Sequence, residues 1–120
     1  MEQAAAEAWL EQLDNLLGEA ARAQRIMTYA EVARALALPP PYTIHQAAEL
    51  IETLMRQRAA QGRAQLASLV VSKARGGLPA PGYFVLLAEL GLYDGPPDGP
   101  EARACHAAHV AACFAAANAS

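Results

Sequence analysis

Apolar residues recur at helical spacing through residues 3–25, where Trp9, Leu10, Leu13, Leu16, Leu17, Ala20 and Ala23 follow an i, i+3, i+4, i+7 pattern and Ile26 comes next. That period predicts an amphipathic helix with one apolar face. Gly18 within it weakens the helix by about 1 kcal/mol relative to Ala. A second periodic segment, 29–38, turns Tyr29, Val32, Ala33 and Leu36 inward, and Pro39, Pro40 and Pro41 stop it because proline lacks the donor a continuing helix needs. A third, 43–60, directs Ile44, Ala47, Ala48, Ile51, Leu54 and Met55 to the core and leaves His45, Gln46, Glu49, Glu52, Thr53 and Arg56 outside. The pattern changes at 66–72, where Leu-Ala-Ser-Leu-Val-Val-Ser has the length and β-branched content of a strand. Lys73, Arg75, Gly76 and Gly77 predict a basic turn, and the return begins at Leu78, with pairing limited by Pro79 and Pro81. Residues 84–90 form a short apolar helix closed by Gly91, and 101–117 a last helix with Val110, Phe114 and Ala117 as its anchor stripe.

Helix starts sharpen this picture. Thr28 and Glu31 form a capping-box pattern, in which the hydroxyl accepts from the Glu31 amide and the carboxylate accepts from the Thr28 amide. Met27 and Val32 are placed as the accompanying hydrophobic staple. Thr43 and Gln46 repeat the box with Gln in place of Glu, and Gly62 is the expected left-handed terminator of that helix. The expected fold is mainly α with a small β-hairpin: a winged helix-turn-helix with added N- and C-terminal helices. Its parts are an N-terminal helix in 1–26, a winged-helix core in 27–91, a linker in 92–100 and a C-terminal helix in 101–120, all one domain of 1–120.

Composition changes the picture only modestly. The apolar fraction of 54% overstates the core, because 30 residues are alanines, which favour helix but bury little area each. No apolar run is long enough to span a membrane. The opening Met-Glu-Gln lacks the basic and apolar regions of a secretory signal, so a cytoplasmic location is expected. Cys105 and Cys113 lie eight residues apart on one helix, about 12 Å in rise, beyond the roughly 7 Å reach of a disulfide. Free thiols fit a reducing compartment.

Charge is divided along the chain. Residues 1–21 carry five carboxylates and no base, residues 22–75 carry eight cations against three carboxylates, and residues 76–120 carry one cation against four carboxylates. The segments therefore hold −5, +5 and −3, summing to the overall −3. Basic charge sits on the helix-turn-helix segment, the distribution an anionic partner favours.

Thr28-Tyr29-Ala30-Glu31-Val32-Ala33, a second helix, Leu69-Val70-Val71 and a Gly-containing turn before another helix together resemble a known domain. It is the winged-helix DNA-binding domain of methylated-DNA cysteine methyltransferases and alkyltransferase-like proteins. The resemblance covers roughly residues 27–91 and implies the fold and an affinity for DNA. The family's Pro-Cys-His-Arg segment leads into its Val-Val strand; laid on Val70-Val71, the Cys slot falls on Ala67, the His slot on Ser68 and the Arg slot on Leu69. The alkyl-transfer chemistry is therefore not carried over. The family's early recognition-helix arginine has no counterpart either, since no Arg lies between Arg34 and Arg56. The later Leu-Val-Val-x-Lys and Pro-Gly-Tyr-Phe pattern is also similar to small bacterial proteins.

These observations predict a duplex DNA-binding protein, a transcriptional regulator by class, that holds DNA mainly through phosphates. The expected contacts are Arg56, Arg58, Arg63, Lys73 and Arg75, with Gln46 reaching a base edge and His45 a base or a phosphate from the second helix. Glu49 and Glu52 share that face, and carboxylates near phosphates are unfavourable unless they accept from cytosine. The alternative is a non-enzymatic interaction or dimerisation module, paired through a Trp9, Leu13, Leu16, Ala20 seam on the N-terminal helix. Among Cys105, His106, His109 and Cys113, the pairs Cys105/His109 and His109/Cys113 have the i, i+4 spacing of metal ligands, but one ion cannot reach both cysteines, and a buried packing role is expected instead. No phosphate loop, paired carboxylates or metalloprotease motif appears. No enzyme activity, cofactor or metal is expected.

Overall fold

The computed structural model describes residues 3–119; Met1, Glu2 and Ser120, which belong to the outer predicted segments, lie outside them. Among the described residues five α-helices dominate: α1 (Gln3–Arg22), α2 (Tyr29–Ala35), α3 (Thr43–Ala60), α4 (Pro81–Glu89) and α5 (Gly99–Ala117). Two short strands, β1 (Met27–Thr28) and β2 (Val70–Val71), complete a mainly helical fold with a small two-stranded sheet. Among the described residues no helix is long and apolar enough to cross a membrane.

The α1 stripe closes the core from one side: Leu13, Leu17 and Ala20 are fully buried, with Trp9, Leu10 and Leu16 partly buried beside them. They pack against α3, α5 and a tight turn at Leu66–Leu69. The dimer seam suggested by the sequence is corrected here, because Leu13 and Ala20 are spent inside the chain's own core. The helix ends where Gln24 takes a left-handed φ of 52° and Arg25 N donates to Ala20 O. β1 follows, and Thr28 then caps α2 as expected: Glu31 N donates to Thr28 Oγ1 at 3.1 Å, and Thr28 N to Glu31 Oε1 at 3.0 Å. Such a cap is worth about 1 kcal/mol.

The segment read as a hairpin departs from expectation. Residues Leu66–Leu69 form a 3-10 turn, and the strand itself is reduced to Val70 and Val71. Their partner is not the return segment but β1, in parallel register, Met27 opposite Val70 and Thr28 opposite Val71. The antiparallel pairing shrinks to one bridge between Ser72 and Leu78. The reason is burial: every residue from Leu66 to Val71 is buried, so the alternation that holds a half-exposed strand is missing, and helices cover the segment on both sides.

Helix ends shift for local reasons. α2 stops at Ala35, before the predicted 38, with Ala37 left-handed, because Leu38 precedes Pro39 and is disfavoured in the α region. α4 begins three residues early because proline is tolerated at a first helical position, as Pro81 is here. Gly62 and Gly91 terminate α3 and α4 with φ of 65° and 75°.

Candidate functional site

The start of α3 is built differently from its sequence pattern. Tyr42, at φ 60°, is the cap residue and offers no side-chain hydrogen bond, so the second capping box does not form. Gln46 instead sends its Nε2 amide to the carbonyls of Pro39 (2.7 Å) and Pro41 (2.9 Å). Three consecutive prolines supply no N–H of their own, and the Gln46 amide meets that need. Gln46 is thus a brace of the turn, a correction to its expected base-reading role. His45 is exposed but lies 2.6 Å from Glu49 through Nε2. Ile44, expected in the core, is 52% exposed, and Tyr42 is 80% exposed.

The expected cations separate into two kinds. Arg58 is buried at 6% exposure, its Nε donating to Ala64 O and its Nη1 lying 3.2 Å from Asp14 Oδ1, so it cannot reach a duplex and that expectation is corrected. Arg56 pairs on the surface with Glu89 at 3.1 Å. Arg75 lies 6.0 Å from the Phe84 ring centroid and donates to Pro97 O, which ties it to the linker. Arg103 reaches Gly76 O at 3.4 Å and holds the same loop. Lys73 and Arg63 stay exposed and form no ion pair among the described residues.

One surface brings helix and loop together. A concavity of 480 Å³ lies between α2, the first turn of α3 and the 72–78 loop, with Arg34, Ile44, Ser72 and Lys73 among its lining residues. Arg34 was not singled out in the sequence; its signal was an unpaired cation on the outer face of α2, one turn after the capping Glu31. Glu31 also lines the concavity, but its carboxylate is taken by the Thr28 amide, which holds its pKa below the usual range. Beneath it, Tyr29 Oη accepts from Ala80 N at 3.0 Å and joins α2 to the start of α4.

On the far side, α5 seals the Leu66–Leu69 turn. Ala67 is 1% exposed and Ser68 fully buried, its Oγ 2.5 Å from Tyr83 Oη. His106 Nε2 donates to Ser68 O at 2.8 Å, and Cys113 Sγ donates to Gln65 O at 3.1 Å, with burial pushing that thiol up to about 11. Among the described residues no group of three or more His, Cys, Asp or Glu is placed to hold a metal. The two α5 histidines instead set an acid limit. Burial lowers the pKa of both His106 and His109 below the ordinary 6.5, against hydrogen bonds to the Ser68 and Leu92 backbones. A group whose folded pKa is depressed stabilises fully above its unfolded pKa, and that contribution is lost as pH falls toward the folded value. The melting temperature is therefore expected to be flat between neutrality and the ordinary thiol value of 9.0 and to fall below pH 6.5, with His106→Gln flattening the acid decline.

Comparisons with family models, curated proteins and solved structures yield no match to this chain.

Proposed function

We propose that this chain is a non-enzymatic, duplex DNA-binding protein of winged helix-turn-helix type, which grips phosphates through the surface between α2, the start of α3 and the 72–78 loop. The observation that carries the reading is the pairing of Arg34 and Lys73. They come from different elements, line one concavity, and neither has a carboxylate within ion-pair distance among the described residues. Two unpaired cations across a groove suit a phosphate backbone, which fixes position without reading sequence. Base reading has little support on α3, since Gln46 is engaged in the turn and His45 with Glu49. The expected binding is therefore electrostatic and tolerant of sequence.

The test is fluorescence anisotropy of a labelled random duplex over a salt series. The double variant Arg34→Glu, Lys73→Glu is expected to weaken binding at least tenfold and to reduce the slope of log K against log salt by about 2, near 0.9 per phosphate contact. Arg75→Gln, at a residue tied to the linker, is expected to leave that slope unchanged. Absence of binding at low salt, or an unaltered slope in the double variant, would overturn the reading. The exposed Tyr42 and Ile44 would then point to a protein partner on the same surface.

A further inference from the structure

A second concavity lies away from this face, between α1, the end of α3 and α5, and encloses 480 Å³. That is within the size range of small-molecule sites. Three arginines line it: Arg22 from α1, Arg58 from α3, and Arg63 just beyond α3. We propose that it binds the phosphate group of a small, hydroxyl-bearing phosphate ester.

Arg58 is the fixed element. It is 6% exposed, and the Ala64 carbonyl and Asp14 carboxylate orient its guanidinium through Nε and Nη1. The residue nonetheless contributes surface to the concavity, and its remaining donors have no protein partner among the described residues. A guanidinium whose plane is already set loses little freedom on gripping an oxyanion. Arg22 and Arg63 are exposed and form no ion pair among the described residues. Arg63 is near enough to Arg58 that their repulsion, after burial, depresses the Arg58 pKa, and a bound anion removes that repulsion.

Two further features select the ligand class. Three guanidiniums on three separate segments outnumber what one planar carboxylate can satisfy, whereas a tetrahedral phosphate offers oxygens in several directions. Asp14, Asn15 and Glu19 on the same wall supply acceptors for ligand hydroxyls. No aromatic ring lines the concavity, so a nucleobase would find no stacking surface.

The test is isothermal titration and thermal denaturation of the whole chain with glycerol phosphate and with inorganic phosphate. Sodium chloride and sodium acetate at matched ionic strength are the comparison arms. Saturable binding of both phosphates, a rise in Tm beyond chloride, and at least tenfold weaker binding by Arg22→Gln, Arg63→Gln are expected. Both replaced side chains are exposed, so this variant is expected to keep the parent Tm in chloride. Failure of both phosphates to bind, undiminished binding by the variant, or acetate binding as tightly as phosphate would each overturn the assignment. The duplex titration uses Arg34 and Lys73 instead, so the two proposals fail separately.

Discussion

Phe84→Ala is expected to cost about 3–5 kcal/mol of folding stability, the range for removing a buried aromatic ring from a packed core. Phe84 is 2% exposed and stands where α4, the linker and the 72–78 loop meet. Its ring packs edge-on against Tyr83 at 4.9 Å and at a tilt against Tyr93 at 5.7 Å, with the Arg75 guanidinium 6.0 Å from its centroid. Truncation removes all three contacts and leaves a void that neighbouring helices cannot fill without moving. Because a domain of this kind has only about 5–15 kcal/mol in total, the loss is a large share of the whole. Urea denaturation measures it, and Phe84→Leu, which keeps most of the volume, is expected to lose less than half as much. A cost below about 1 kcal/mol would contradict the packing described around this ring.

Arg58→Ala is the second large effect, about 2–3 kcal/mol, set below the usual cost of breaking a buried ion pair because its partner keeps access to water. The Arg58 side chain is 8% exposed and that of Asp14 is 42% exposed. After the substitution Asp14 regains solvent, so most of the cost comes from the Ala64 carbonyl losing its donor and from the space left by the aliphatic stem. Arg58→Met keeps that stem volume and is expected to recover part of the loss. Equal stability of the Ala and Met variants in denaturant titrations would assign the cost to hydrogen bonding alone. A loss under about 0.5 kcal/mol, the size of an ordinary surface change, would mean that Arg58 is not fixed, which would remove the oriented cation from the α1–α3–α5 concavity.

The two residues differ in how far their roles could be read beforehand. Phe84 stands in an apolar run, and its burial follows from that run. Arg58 lies four residues after the buried Leu54 and seven after Ile51, on the apolar face of α3, whereas Arg56 follows the exposed Glu52 and Thr53; spacing separates the two arginines but does not say what would pair with a guanidinium on that face. The carboxylate that pairs with it, on Asp14, is 44 positions away, so no window of sequence contains the pair. His106 is similar. The spacing along its helix foretold only a packing face, whereas its ring turns to the Ser68 carbonyl on another element. Ile44 misled in the opposite direction, because helical period assigns a face but not whether a neighbour covers it.

What the sequence determined by itself is the set of features whose causes lie within about one helical turn. The Thr28–Glu31 capping box, the apolar stripe of α1, the terminators Gly62 and Gly91, and the break at Pro39 all depend on residues three or four apart or on a single backbone preference. Tertiary structure decided the rest: β2 pairing in parallel with β1, and the 22–75 cations dividing into buried, tethered and free. Those outcomes turn on which distant group arrives to satisfy a donor, an acceptor or a charge. That partner is chosen by the packing of α1 and α5 over the central segment, a relation between surfaces rather than between neighbours in the chain.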